Sequence, residues 1–416
     1  YMLGGDRMAR PVGVGIIGLG WGASHARVTA ELAPLVEVRA VCSRRRERLE
    51  GIRAELGLPD AALEQEWQRL VERPDVDLVV NTAPDNLHHP ITLAAIARGK
   101  HVFCEKPLAM RAAQAREMLD IAEAAGVAHF TGFTWRFAPP MATIRRLLNA
   151  GALGEVRFID GHFRIGPPLA GKEWQFDPEQ RAGGVLGNLG VHLIDLARYL
   201  TSPPAPGSEV ERGNASRQVG HDAGLRSPSL RGKGPGGRSH PLGWRVWARC
   251  DAISRPPAAT GGHTSGVNDL VWLQVAMGGG PEAPQARLQA SQLLTLRAAD
   301  PVRLEVHGTA ASAVGYANPL APERQRVTCF SHTSDLPERV EPLEFPGGPP
   351  APPTAALPSG GLLRPTIRHL YEAHIVPRLT RGHARPDTPT FYDGWLAQRV
   401  MDAALESAER GLWVDT

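Results

Sequence analysis

The sequence predicts a two-domain α/β protein: a doubly wound parallel sheet over residues 9–133, then an α+β domain over 134–416 with a large, mostly antiparallel sheet. Three observations predict this. The 416 residues exceed the usual size of one domain. The first third alternates short apolar runs with segments of helical composition, the pattern of βαβ units. Beyond about residue 133, strand-like runs follow one another with few helices between them, which favours an antiparallel sheet.

In the first domain, Val12–Leu19, Val36–Cys42, Val76–Asn81 and His101–Cys104 read as buried strands, with Ala128–Phe133 as the last. Arg44–Leu56, His89–Arg98 and Ala112–Ala125 read as the helices between them. In the second domain, Met141–Asn149 and Gly190–Leu200 read as helices. Strands are expected at Val156–Phe163, Trp244–Cys250, Leu270–Met277, Arg287–Leu293, Val302–His307 and Val327–Phe330. A last helix fits Trp395–Arg410, stopped by Gly411. Two segments interrupt this domain. Ser202–Gly243 is rich in Gly, Pro, Ser and Arg and predicts a mobile insert, and 345–365 predicts a Pro/Gly-rich loop.

Composition narrows the function. Basic and acidic residues nearly balance, 46 against 43, and no basic patch interleaves with aromatics, so no nucleic-acid partner is expected. No apolar run reaches the roughly 18–20 residues of a membrane span. The opening YMLGGDRMARP lacks the layout of a signal peptide, and the expected compartment is the cytoplasm. The four cysteines form no CxxC pair and read as reduced structural thiols. No metal site is expected; the adjacent His88 and His89 are poorly placed to chelate together.

The stretch Gly18-Leu19-Gly20-Trp21-Gly22-Ala23 follows an apolar strand and opens a helix, the context of a dinucleotide cradle. Gly18 permits the turn and Gly20 the close approach of a pyrophosphate. Ala23 is small enough for helix–sheet packing, and the helix N-terminus faces the phosphates. At the end of the second strand, an NAD site usually carries an acid for the ribose 2′-OH. Here Ser43, Arg44 and Arg45 stand instead. A hydroxyl flanked by guanidinium forks suits a 2′-phosphate, so NADP(H) is preferred over NAD(H). These arginines would also suit the exposed start of a helix.

Three more motifs follow in order: Thr82-Ala-Pro84-Asp-Asn-Leu-His88, Glu105-Lys106-Pro107, and Gly183-Gly-Val-Leu-Gly-Asn188-Leu-Gly-Val-His192-Leu-Ile-Asp195. With the glycine loop they resemble the Gfo/Idh/MocA oxidoreductase family. The resemblance covers most of the chain, outside the insert. It implies a Rossmann domain, then an open-faced sheet through which copies form a homodimer or homotetramer. It implies hydride transfer between nicotinamide and a sugar, polyol or related alcohol or carbonyl compound. It places Thr82, Pro84, His88, Glu105 and Lys106 at the cofactor, beside Gly18, Gly20, Trp21, Gly22 and Ala23. Lys106 and His192 are implied as catalytic, with Asn188 at a position where the family carries Asp.

The residue types suit that chemistry. Imidazole is a natural base for a hydroxyl proton, and a lysine cation stabilises a developing alkoxide. The i, i+4, i+7 spacing predicts one helix face presenting Asn188, His192 and Asp195. Trp135, Arg136 and Trp174, with Asp195, are the candidate substrate contacts. The alternative reading is a non-catalytic NADP-binding regulator or sensor of the same fold.

Overall fold

Strand β1 (Val12–Ile17) is apolar and buried over nearly its whole length, as befits the centre of a parallel sheet covered on both faces. The structure is a computed structural model. It describes residues 10–165, 177–202, 243–251, 270–278, 282–292, 301–318, 324–332, 339–341 and 363–416. Around β1 lie β2 (Val36–Cys42), β3 (Leu63–Glu64), β4 (Leu78–Asn81), β5 (His101–Cys104) and β6 (His129–Thr131), in the order β3-β2-β1-β4-β5-β6. All neighbours pair in parallel. Helices α1 (Gly22–Glu31), α2 (Arg46–Leu56), α3 (Trp67–Glu72), α4 (Asp85–Ala97) and α5 (Ala112–Ala124) form the crossovers. Strand order reverses between β1 and β4, so their carboxyl ends open a crevice.

Several boundaries differ from the sequence reading, most by a residue or two, and three of them bear on the site. The first strand stops at Ile17, because Gly18 turns the chain with φ +91°. Helix α2 starts at Arg46, which leaves Arg44 and Arg45 on the preceding turn. Helix α4 starts at Asp85, four residues before the expected His89, with Pro90 inside it. The short β3 and α3 were not expected; two and six residues are too few for a periodic signal.

The second sheet has nine strands. They are β7 (Val156–Arg164), β8 (Trp244–Asp251), β9 (Leu270–Met277), β10 (Gln285–Ser291), β11 (Val302–Gly308), β12 (Ala311–Ala317), β13 (Arg326–Ser331), β14 (Arg339–Glu341) and β15 (Val414–Asp415). Their order is β14-β13-β12-β11-β7-β10-β9-β8-β15, and β7 with β10 is the one parallel pair among these strands. Helices α6 (Pro139–Asn149) and α7 (Val191–Thr201) cover one face. Strand β12 escaped the sequence reading because it is built of small residues. A Cβ on Gly315 would stand 2.8 Å from Ile144 of α6, so this strand lies flat under the helix.

The chain then returns to the first domain. Helix α8 (Leu363–Leu370), a π-turn (Tyr371–Ile375) and α9 (Val376–Arg381) bury Ile367, Leu370, Tyr371, Ile375 and Val376 against the cluster that holds Val14, Ile16 and Phe103. Residues 363–365, expected as loop, begin α8. Helix α10 (Phe391–Arg410) starts four residues before Trp395, on a capping box of Thr390 and Asp393. Residues 203–242 of the insert and 345–362 of the loop lie outside the described residues. Cys42, Cys104, Cys250 and Cys329 are free thiols. Among the described residues, no helix is long and apolar enough to cross a membrane.

Candidate active site

The crevice at the β1–β4 switch is a cleft of about 630 Å³. Gly18 forms its floor. A Cβ there would stand 2.4 Å from the Thr82 carbonyl oxygen, so only glycine fits this turn. Gly20 faces the cleft, where an added Cβ would meet nothing nearer than Arg48 Nη1 at 3.6 Å. Its bare backbone leaves room for a phosphate. Gly22 provides the close helix–strand packing, with Ile16 and Thr82 each 2.8 Å from the place of a Cβ. Ala23, half-buried, packs beside the first-domain core as well. No side chain caps α1, and in its first turn the Gly22 and Ser24 N–H groups donate to the Gly18 and Trp21 carbonyls at 3.2 and 2.9 Å. Trp21 is 44% exposed and lines the cleft.

The end of the cleft at β2 is lined by Cys42, Ser43, Arg44, Arg45 and Arg48, together with Gln65, Glu66 and Trp67. Ser43 Oγ accepts the Arg45 N–H at 3.2 Å, which shapes the turn. Burial, with the charges of Glu64 and Glu66, pushes the Cys42 thiol up to about 12. Arg48 and the Gln65–Trp67 stretch were missed by the sequence reading. Arg48 stands on the first turn of α2, a position legible only once that helix is known to start at Arg46.

Thr82 and Pro84 line the same cleft, and Thr82 Oγ1 donates to the Ile17 carbonyl at 2.9 Å, bracing the strand end. His88 does not reach the cleft. It is 1% exposed, and its ring bridges the carbonyl oxygens of Pro107 (2.8 Å) and Ala83 (3.0 Å), so it supports the loop after β5 from below. Glu105 braces the same loop. Its carboxylate accepts the Lys106 N–H at 3.0 Å and lies 3.9 Å from His25 Nε2. Burial pushes Glu105 up, but His25 and the Lys106 charge outweigh it and hold the carboxyl below its ordinary value. His25 Nδ1 in turn meets the Tyr371 hydroxyl at 3.3 Å. The cofactor role expected of His88 is thus corrected to support of the Lys106 loop.

Lys106 points out of that loop into the second domain. Its ammonium donates to the Asn188 carbonyl at 2.8 Å and lies 3.5 Å from Asn188 Oδ1. His192 stands four residues on, at the start of α7, 6% exposed and walled by Phe133, Trp135 and Phe163 with ring centroids 6.0–6.3 Å away. Its Nδ1 is buried without a hydrogen-bond partner. Burial holds His192 well below the usual histidine range, and the charges of Lys106 and Arg181 push it further down. The ring is therefore neutral near pH 7 and able to accept a proton.

The single face expected for Asn188, His192 and Asp195 is not formed. Asn188 lies in a π-turn (Leu186–Gly190), which shifts the helical phase, and it turns to Lys106. Asp195 is 1% exposed and pairs with Arg136 through Nε at 2.8 Å. Arg136 also donates to Asp393 at 2.9 Å, and Arg198 joins the same carboxylate. With both groups enclosed and paired, Arg136 and Asp195 are a structural ion cluster, not substrate contacts. Trp135, 7% exposed, backs the His192 ring and is no open stacking platform. Trp174 lies outside the described residues. Among those residues no group of three or more His, Cys, Asp or Glu is placed to hold a metal.

Two family models match the chain in tandem: the oxidoreductase family with NAD-binding Rossmann fold over residues 12–133, and the GFO/IDH/MocA C-terminal domain over 141–314. Levoglucosan dehydrogenase of Pseudarthrobacter phenanthrenivorans is 30% identical over 198 residues, covering 45% of this chain and 50% of that protein. The NADP(+) scyllo-inositol 2-dehydrogenase of Bacillus subtilis is 28% identical over 203 residues, covering 49% and 55%. The chain spans about half the length of the curated relatives it matches. The solved structure of a levoglucosan dehydrogenase with NADH and levoglucosan superposes with a TM-score of 0.74 at 22% identity, over 98% of this chain and 99% of that one. The tandem of a dinucleotide cleft and a nine-stranded sheet is thereby accounted for: the chain belongs to the Gfo/Idh/MocA oxidoreductase family.

Proposed function

We propose that this protein is an NADP(H)-dependent oxidoreductase acting on a CH–OH or carbonyl carbon of a sugar, polyol or related compound. One pairing carries the reading: the first domain holds a cradle bare of side chains at Gly20, and the Lys106 ammonium after β5 bonds to Asn188, four residues before the neutral, buried His192. The residues fit a dinucleotide, since Gly18 and Gly20 leave its space free and no side chain caps α1. When bound, the cofactor supplies the hydride acceptor or donor. His192 takes the hydroxyl proton in the oxidative direction and returns it in the reverse. Lys106 stabilises negative charge on the same oxygen.

The 2′-phosphate reading rests on Ser43, Arg44, Arg45 and Arg48 lining the cleft where an NAD site usually carries an acid. Glu66, which lines the same cleft, opposes it in charge and is outnumbered. The relatives include dehydrogenases and reductases of sugars and polyols, which supports an enzyme over a non-catalytic sensor. The exposed Trp272 and Phe330 on the open face of the second sheet suit pairing of copies through that face.

Fluorescence titration with NADPH and NADH tests the reading. NADPH should bind at least tenfold more tightly, and substitution of Arg44, Arg45 and Arg48 by Ser should remove that margin. Tighter NADH binding sinks the 2′-phosphate assignment, and absence of both sinks the enzyme reading.

A further inference from the structure

Helix α10 meets the loop that carries Lys106 at three points, four residues apart on one of its faces. A Cβ on Gly394 would stand 2.7 Å from Leu108 Cδ2, so the helix backbone lies directly on Leu108. The Gln398 amide donates to the Met110 carbonyl at 3.5 Å and to Asp402 Oδ1 at 3.1 Å. Asp402 Oδ2 accepts the Ala112 N–H at 2.8 Å. Positions 394, 398 and 402 thus meet positions 108, 110 and 112. The spacings match, since four residues of helix rise about 6 Å and two residues of extended chain span at most about 7 Å. Asp402 also caps the first turn of α5, whose N-cap residue Arg111 offers no side-chain bond. Burial pushes the Asp402 carboxyl up, and its hydrogen bonds and the Arg111 charge only partly offset this. The same helix reaches the second domain. Its Asp393 joins Arg136 and Arg198, and Arg198 stands on α7 with His192. Its Ser407 Oγ accepts the Ala248 N–H of β8 at 3.0 Å.

We propose that this face of α10 is a rail on which the Lys106 loop is laid, with Gln398 and Asp402 as positioning residues for the Lys106 ammonium. Its meaning for catalysis rests on the oxidoreductase reading, in which Lys106 meets the substrate oxygen. The near end of the loop is held by Glu105, which accepts the Lys106 N–H, and by His88 beneath Pro107. Those partners belong to the first domain, so they do not by themselves fix the loop against α7. Helix α10 does, because one rigid element bonds to the far end of the loop and, through Asp393, to α7. A misplacement of about 1 Å in such a support costs up to about 100-fold in rate.

The test reads the accessibility of the Lys106 amine in the full chain, without cofactor or substrate. N-acetoxysuccinimide acetylates lysine amines, and peptide mass spectrometry resolves the rate at each of the four lysines. Lys100, tied to the carbonyls of Arg73 and Val76 at 2.8 and 2.7 Å, is the internal standard. Asp402→Ala should raise the Lys106 rate at least about threefold over that of Lys100, because the far end of the loop is released. Asp402→Asn keeps an acceptor for the Ala112 N–H and should stay near the wild-type rate. Ser407→Ala weakens the opposite end of the same helix and should leave the Lys106 rate in place, whereas general loosening of α10 would raise it. An unmoved Lys106 rate in Asp402→Ala, or an equal rise at Lys100 or in Ser407→Ala, overturns the proposal. If Asp402→Ala does not fold, Gln398→Met serves instead, with the same rise expected and the same result fatal. Failure of the oxidoreductase reading shows separately, as loss of NADPH binding in the wild-type chain. With a working substrate, Asp402→Ala should lower kcat about tenfold or more and leave the NADPH Kd in place.

Discussion

Asp85, in the first turn of α4, accepts hydrogen bonds from Arg181 Nη1 at 3.3 Å and from the Ala182 N–H at 3.1 Å, with both side chains almost fully enclosed. This pair ties the segment before Asn188 to the first turn of α4. Its acid comes from the residue after Pro84, which lines that cleft. Removing the acid leaves a buried guanidinium. We expect Asp85→Ala to cost on the order of 3 kcal/mol in urea unfolding and to lower kcat as well. Asp85→Asn, which still accepts from Ala182, should recover part of both. Unchanged stability in Asp85→Ala would show that the pair is not formed.

Arg136 supplies a second test of structure against function. As a member of the enclosed cluster with Asp195 and Asp393, Arg136→Ala should destabilise the fold by about 3–5 kcal/mol. Arg136→Lys should restore little, because an ammonium cannot span two carboxylates as the guanidinium fork does. A raised KM with an unchanged melting temperature would instead return Arg136 to the substrate contacts.

Gly18 and Gly20 should separate folding from binding. At Gly18 the backbone has φ +91° and a Cβ collides with the Thr82 carbonyl, so Gly18→Ala should cost about 2 kcal/mol or more. At Gly20 nothing stands nearer than 3.6 Å, so Gly20→Ala should change stability by less than about 0.5 kcal/mol. Its NADPH affinity should nevertheless fall at least tenfold, because the methyl occupies the phosphate approach. Normal binding by Gly20→Ala would refute the cradle.

The pH dependence of stability has a defined sign. Burial holds His192 and His374 below 6.5 in the folded state. Above about pH 6.5 both states are neutral and stability is full. As pH falls through 6.5, the unfolded chain gains protons that the fold refuses, and stability drops. Paired carboxylates such as Asp160 act lower, below 3.8, so the window from pH 7 to 5 isolates the histidines. Urea unfolding across that window should show declining stability, and His374→Gln should flatten the slope. A flat wild-type profile would contradict the burial of these rings as bases.

The crossing of the chain between domains was not legible in the sequence. Local spacing cannot show that Tyr371, 346 residues beyond His25, closes over it, or that Phe391 packs into the first domain. The same limit hid Arg48, whose value depends on where α2 begins, and misassigned Arg136 and Asp195. Their partners are set by packing across three elements.

What the sequence alone determined is what local chemistry dictates. Apolar runs specify the parallel strands, Gly18 specifies a turn that no side chain can occupy, Gly20 leaves the cradle bare, and Ser43-Arg44-Arg45 specifies a cationic end of β2. Tertiary structure alone decided which polar residues face the cleft and which are consumed in holding the fold. His88, Glu105, Arg136 and Asp195 carry chemistry in their side chains, but each has its hydrogen-bonding capacity turned to internal partners. The physical reason is that a buried polar group must be satisfied where it lies, and the identity of that partner depends on elements distant in sequence.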